Sequence, residues 1–317
     1  MFLFSAFVSS TIVSRQEEAS FISWMRENSV MFTGEEYAFR LGIYLTTDRY
    51  IKQFNRGKRS HTLAHNKFSA YTHAEYKALL NSKPIHPRNV QKSQITTQKV
   101  QVPDTWDWRD RVAFNPVRDQ MECASGFAFA SCACQEVTWN IYYNKLYLLS
   151  PQNMLDCAYN EEGCDGGEAD RAVGYIVTDQ DGKFGLESDY PYKSESMGYC
   201  EFDPSKGVTK ALAVNYTRDE ADMKVRVATT GPLICGYDSS SEDFEYYYQG
   251  VYYSDDCSAW GIDHWMTIVG YGTYNGDDYW LVKNSFGKGW GQQGYGMVAR
   301  NRDGACGVDL LTFSINV

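Results

Sequence analysis

All nine cysteines of this 317-residue chain, at positions 123, 132, 134, 157, 164, 200, 235, 257 and 306, lie in its last two thirds, and the first 98 residues contain none. That distribution reads as a disulfide-bearing body made in an oxidising compartment, preceded by a segment that needs no cross-links. Charge divides at the same place. Residues 1–98 carry 13 Lys/Arg against 7 Asp/Glu, a net +6, and residues 99–317 carry 17 against 33, a net −16. Opposite signs on two parts of one chain favour their association. The acidic body also lacks the positive patch that phosphate contacts require, so no nucleic acid is expected as a partner. No stretch approaches the roughly 18 to 20 apolar residues of a membrane-spanning helix. Cys132 and Cys134 form a C-x-C pair on an apolar, helix-periodic stretch without a second pair or a histidine nearby, a poor zinc set, so neither a metal nor a cofactor is expected.

The chain divides further by pattern. Met1 to Val13 is apolar and ends in small residues, as a secretory signal does, and the leader is placed at 1–16. The single sequon, Asn215-Tyr216-Thr217, agrees with secretory entry and makes Asn215 a candidate glycosylation site. Residues 17–80 carry helical periodicity, with Phe21, Trp24 and Met25 and then Tyr37, Leu41, Tyr44 and Leu45 on one stripe. Residues 82–98, with Pro84 and Pro87 among Ser, Thr, Lys and Gln, read as a linker. The body, 99–317, begins with a helical half to about residue 214. It contains a long helix started by Ser125 as N-cap and another opened by Ser150-Pro151. From about 215 the signals turn to strands, at Val251–Tyr253, Met266–Val269, Tyr279–Val282 and Gly296–Ala299. Helical half followed by β-rich half is an α+β architecture, and a cleft between halves is a usual ligand site. Ser239 to Glu245 and the Tyr246-Tyr247-Tyr248 run read as a surface loop and a strand start.

The body contains one histidine, His264, directly ahead of a predicted strand. Twenty residues later Asn284 ends another strand before a glycine-rich turn, Ser285-Phe286-Gly287-Lys288-Gly289-Trp290. If those strands pair as a hairpin, the Asn284 amide lies beside the imidazole and fixes its orientation and tautomer. The pair then stands as the base and orienter of a nucleophilic site.

At these residues the chain resembles the papain family of cysteine proteases, nearest its cathepsin L-like branch. Glu36, Arg40, Tyr44, Thr47, Ile51 and Asn55 stand at the spacing of the family's inhibitory-propeptide helix motif, with Tyr and Thr in place of the usual Phe and Asn. Ala64, Asn66, Phe68 and Ala70 match a second propeptide motif that usually ends in Asp. Val102-Pro103 and Asp107-Trp108-Arg109 are similar to the mature N-terminus. The resemblance implies a two-domain fold, helical left domain and β-barrel-like right domain, behind an α-helical inhibitory propeptide at 17–81. It makes Gln120 the oxyanion-hole amide, His264 the base and Asn284 its orienter. Gly166, Gly167, Asp263, Trp265, Phe286 and Trp290 become substrate-binding positions. It implies the disulfides Cys123–Cys164, Cys157–Cys200 and Cys257–Cys306, with Cys132, Cys134 and Cys235 left free.

One position departs. Aligning Gln120, Cys123, Ala128 and Phe129 puts Gly126 where the nucleophilic cysteine belongs. Phe127 and Phe286 replace tryptophans around it, and Trp265 replaces a small residue lining the main specificity pocket. An indole there brings about 150 to 250 Å² of surface and fills or reshapes the pocket. The expectation is a catalytically inactive pseudopeptidase, a monomer of the secretory pathway, lysosomal or extracellular. Its partners are its own propeptide, a peptide or protein segment in the cleft, and protease-inhibitor proteins. The alternative is a working endopeptidase, with the glycine an error or another nucleophile in use. Cys123 and Ser125 are the nearest candidates, but the first is committed to a disulfide by the resemblance. The second, as a cap, is expected to bond the helix amides.

Overall fold

The computed structural model describes residues 13–85, 100–217, 219–302 and 304–317. Most of the expected leader, and the linker beyond residue 85, lie outside these residues. The front segment begins with two helices, α1 (Arg15–Glu27) and α2 (Gly34–Phe54). Ser14 and Glu17 close a capping box on α1, satisfying N-terminal amides that the helix itself cannot. The aromatic stripe buries Phe21, Trp24, Tyr44 and Leu45 in a small core of its own.

Helical periodicity does not carry through to Leu80. Past Asn55 the chain turns and forms β1 (His61–Leu63), which pairs antiparallel with a strand of the body. Two forces win over helix here. Asn55 binds both backbone groups of Leu63, at 2.8 and 2.9 Å, and the body's edge strand gains a partner for its open amides and carbonyls. A short helix, α3 (His73–Lys77), follows, with Thr72 and Glu75 as its capping box.

The body contains β2 (Trp106–Asp107), α4 (Gly126–Tyr143), α5 (Pro151–Cys157), α6 (Ala169–Asp179), β3 (Lys183–Phe184), β4 (Thr209–Lys210) and β5 (Ala213–Tyr216). After these come α7 (Glu220–Thr229), β6 (Leu233–Tyr237), α8 (Glu242–Glu245), β7 (Tyr247–Tyr252), β8 (His264–Tyr274), β9 (Asp277–Lys283), β10 (Tyr295–Ala299) and β11 (Thr312–Asn316). The main sheet runs β1-β7-β10-β9-β8-β6-β11-β5, with β2 paired to β8. Thus the start of the body belongs with the strands, and α7 and α8 lie within the β-rich sequence. Helix α4 is apolar on nearly every face and buried along most of its length, as a helix must be that lies between other layers. Ser150 caps α5 by accepting from the Asn153 N–H, with Pro151 at the first position.

Disulfides join Cys123 to Cys164, Cys157 to Cys200 and Cys257 to Cys306, and the thiols of Cys132, Cys134 and Cys235 are free and buried. The stretch from Ser239 to Tyr248 is not the surface loop its composition suggested. Phe244 and Glu245 are fully buried and Tyr246 and Tyr247 nearly so, with only Tyr248 exposed among the three tyrosines. The front segment covers them. Ala64 N–H donates to the Tyr246 carbonyl, Asn66 Nδ2 to that of Glu245, and the Tyr76 hydroxyl to that of Ser239.

Candidate active site

The β8–β9 hairpin turns on Asn275-Gly276, both at positive φ, the pair such a turn favours. Its register sets Thr267 opposite Lys283, so His264, opening β8, lies beside Asn284, which follows β9. His264 Nε2 is 2.8 Å from Asn284 Oδ1. That oxygen also accepts the Ser285 N–H at 2.7 Å, which fixes the amide's orientation. Nε2 therefore donates, and Nδ1 is left with its lone pair free. Phe286 stacks on the ring at 4.6 Å. Burial pushes the imidazole down to about 4, against a smaller upward pull from Asn284.

The open nitrogen faces the start of α4. A Cβ built on Gly126 would lie 2.6 Å from His264 Cε1 and 2.7 Å from Nδ1, closer than carbon atoms sit. The ring occupies the volume a side chain at 126 would need. Gln120 is fully buried. Its Nε2 donates to the carbonyls of Leu79 and Cys123, at 2.8 and 2.9 Å, and its Oε1 accepts from Ser285 Oγ at 2.7 Å. Ser125 does not cap α4. Its hydroxyl is 2.7 Å from that of Tyr192, which in turn donates to the Gln120 carbonyl. A neighbouring phenol outcompeted the helix amides. Cys132 and Cys134 are buried within α4, and desolvation pushes both thiols up, the reverse of what activates a nucleophile.

The front segment runs through the cleft beside this site. Asn81 N–H donates to the Asp263 carbonyl, Ser82 N–H to that of Asp165, and Ile85 N–H to that of Ile262. The Asn81 side chain bonds both backbone groups of Gly167. Gly166, at φ +120°, leaves only 2.6 Å between a would-be Cβ and Asn81 Oδ1, so a side chain there would push the segment away. Trp265 is fully buried, its indole N–H on the Gly167 carbonyl at 2.9 Å. Asp263 is buried and pushed up to about 8 by desolvation, with Oδ1 accepting the Ser239 N–H. Trp290 lies deeper, its N–H on the Phe244 carbonyl, packed on Phe286 and Tyr247. The structure thus gathers Gln120, Gly126, His264, Asn284 and Phe286 at one point, with Gly166, Gly167, Asp263 and Trp265 alongside.

Sequence reasoning did not reach Ser285, which holds the Gln120 amide, or Leu79 and Asn81, which occupy the cleft. Ser285 adjoins Asn284 and was within reach. Leu79 and Asn81 carry no motif.

Comparison with known proteins gives two family matches. Residues 102–314 match the papain family cysteine protease model, and residues 21–76 match the cathepsin propeptide inhibitor domain. A cathepsin L-like peptidase of Aedes aegypti is 37% identical over 86% of this chain and 85% of its own. Digestive cysteine proteinase 1 of Homarus americanus is 35% identical over 86% and 87%. Among solved structures, digestive procathepsin L2 from Tenebrio molitor larval midgut superposes with a TM-score of 0.88 at 30% identity, covering 95% of this chain and all of that one.

Proposed function

This chain belongs to the papain family of cysteine proteases, among its cathepsin L-like members, with its own propeptide attached, and we propose that its cleft holds peptide without cutting it. The observation that carries this reading is the missing side chain at Gly126, with the imidazole in its place. A thiol at a helix N-terminus beside an imidazole ionises readily, and the resulting thiolate keeps the imidazole charged. Here there is no sulfur to attack and no anion to hold a proton on His264. Burial, against the smaller pull of Asn284, then sets its state and favours the neutral ring at pH 5. Removing the nucleophile of a comparable triad costs on the order of 10⁶ in turnover.

Binding has different requirements. The Gln120 amide, the Gly167 backbone and the Asp263 carbonyl together hold an extended segment, and none of them needs the thiol. In this reading residues 17–81 are the inhibitory segment, 82–98 the linker and 99–317 the binding body, with a leader at 1–16. Disulfides and cathepsin L-like relatives fit the secretory pathway. Within it we place the product in lysosomes or outside the cell, glycosylated at Asn215, with protease-inhibitor proteins as further partners.

The test is hydrolysis of a general peptide substrate by the purified, processed protein beside Gly126→Cys and Gly126→Cys/Trp265→Ala. The unmodified protein should be inert, and turnover by it would reject the reading. Gain of turnover in either variant would identify His264 and Asn284 as a preserved base and orienter.

A further inference from the structure

We infer that the cleft, once free of its front segment, selects an extended peptide that carries a lysine or arginine at the place now taken by Lys83. This rests on the reading of the cleft as a peptide holder and adds the chemistry of what it holds. Two observations converge, and a third identifies which carboxylate meets the cation. The wall beside Gly166 and Gly167 is acidic, formed by Glu161, Glu162, Asp165 and Glu168 around a groove of about 330 Å³. Among the described residues the body contributes one cation to this groove, Arg171, which is paired with Glu168 at 3.2 Å. Second, the segment seated there is the chain's own, and it brings Lys83, whose ammonium is 2.7 Å from Glu162 Oε1. Residues 82–98 continue with Arg88 and Lys92 and contain no acid. Third, Glu161 has one oxygen on the Glu168 N–H at 2.6 Å. Its other oxygen is buried without a hydrogen-bond partner among the described residues. Desolvation pushes that carboxyl up to about 7, so Glu161 is only partly ionised near neutral pH and the charge that meets Lys83 is that of Glu162.

The geometry also accounts for where selection falls. Trp265 fills the space next to Gly167, so side-chain discrimination shifts outward to the rim where Glu162 stands. The pair there is solvent-exposed on both sides, which makes its contribution to affinity modest and its contribution to choice of partner larger.

The experiment uses the full chain, cut by added protease between residues 86 and 98, immobilised by its C-terminus and washed until mass spectrometry shows the front piece gone. Retained near-UV circular dichroism checks the fold. The probe is the end-capped peptide of residues 78–85, whose single charge is Lys83, against versions with Lys83→Ala and Lys83→Glu. We expect binding to weaken about 3-fold for Ala and about 10-fold for Glu. The Glu162→Lys protein should reverse the order, and the preference should shrink in 0.5 M salt as screening predicts. Equal binding of all three peptides would overturn the inference and leave the peptide-holding cleft standing. Binding of none to the folded, opened protein would remove the cleft reading itself. If the front piece stays bound after cutting, its release rate is read instead. Lys83→Glu should speed release, Glu162→Lys in the same chain should restore it, and unchanged rates would overturn the inference.

Discussion

The seam between front segment and body and the first turn of α4 lie within one site, yet they have fared differently. At the seam, partners are kept. Phe68 is fully buried and meets Phe286 edge-on at 5.3 Å, Asn66 bonds the Glu245 carbonyl, and Lys67 pairs with Asp119 of the body. At α4 position 126 is a glycine, and the His264 ring stands where its Cβ would be. The difference teaches that inhibition by burial is spread over many contacts, whereas covalent chemistry hangs on one sulfur atom. On the proposed reading the fold keeps the first without the second, because function of this kind lives in a site rather than in the scaffold. Phe68→Ala attacks the seam directly and should give the largest effect. A fully buried phenylalanine cut to alanine costs about 3 to 5 kcal/mol, read as a lower denaturation midpoint together with exposure of residues 13–85 to added protease. A loss below about 1 kcal/mol would mean the seam is slack and the contrast with α4 false.

Gly126→Ala probes the other region. Alanine relieves the glycine's helix penalty of about 1 kcal/mol, but its Cβ meets the imidazole at 2.6 Å. The ring is pinned by Asn284 and Phe286, so overpacking of about 1 to 3 kcal/mol wins. The variant should denature earlier than the parent, and His264 should show altered ring resonances. A more stable variant would show that the ring yields freely and that the vacated volume was never closed.

Legibility divides along the same line. The β8–β9 hairpin, the start of α4 and the His264–Asn284 contact could be read from the sequence, because alternation, a glycine turn and the onset of an apolar helical run are local signals. The burial of Ser239 to Tyr248 could not, since what covers it lies more than 160 residues earlier. Strand β1 escaped for the same reason, having three residues and a distant partner. Ser125 was misjudged because a cap is the local prediction and the Tyr192 hydroxyl is a tertiary one. The closeness of the imidazole to Gly126 has no sequence signature at all.

A smaller effect separates the regions by pH. His264 is held down to about 4 by burial, below the usual imidazole value near 6.5. The unfolded chain therefore binds this proton more readily, and the group's contribution to stability is present above pH 6.5 and lost as pH falls towards 4. His264 proton shifts in NMR should titrate near 4, and a midpoint above 6 would reveal an anion beside the ring and break the account of an unpaired base.

Within the front segment the sign is opposite to what an acid-triggered loosening would need. Glu75 is pulled down to about 2, first by hydrogen bonds from Arg40, against a smaller desolvation. Its two oxygens receive two guanidinium nitrogens at 2.6 Å each. A depressed carboxyl stabilises the fold above its unfolded value near 4.5, and that stabilisation fades as pH falls from there through 2. The Arg40 clamp thus stays closed at pH 5, and Ala70, where the family's second propeptide motif has an acid, adds only its carbonyl, which accepts from Arg40 Nη1. Because the Glu75 side chain is 40% exposed, solvent screens much of the pair, and Glu75→Gln should cost about 1 kcal/mol or less at pH 7. The same variant should be no less stable than the parent at pH 2, where the parent's carboxylate is half protonated. A gap between them that persists unchanged from pH 7 to pH 2 would mean that Glu75 acts through the Thr72 capping box and not through charge.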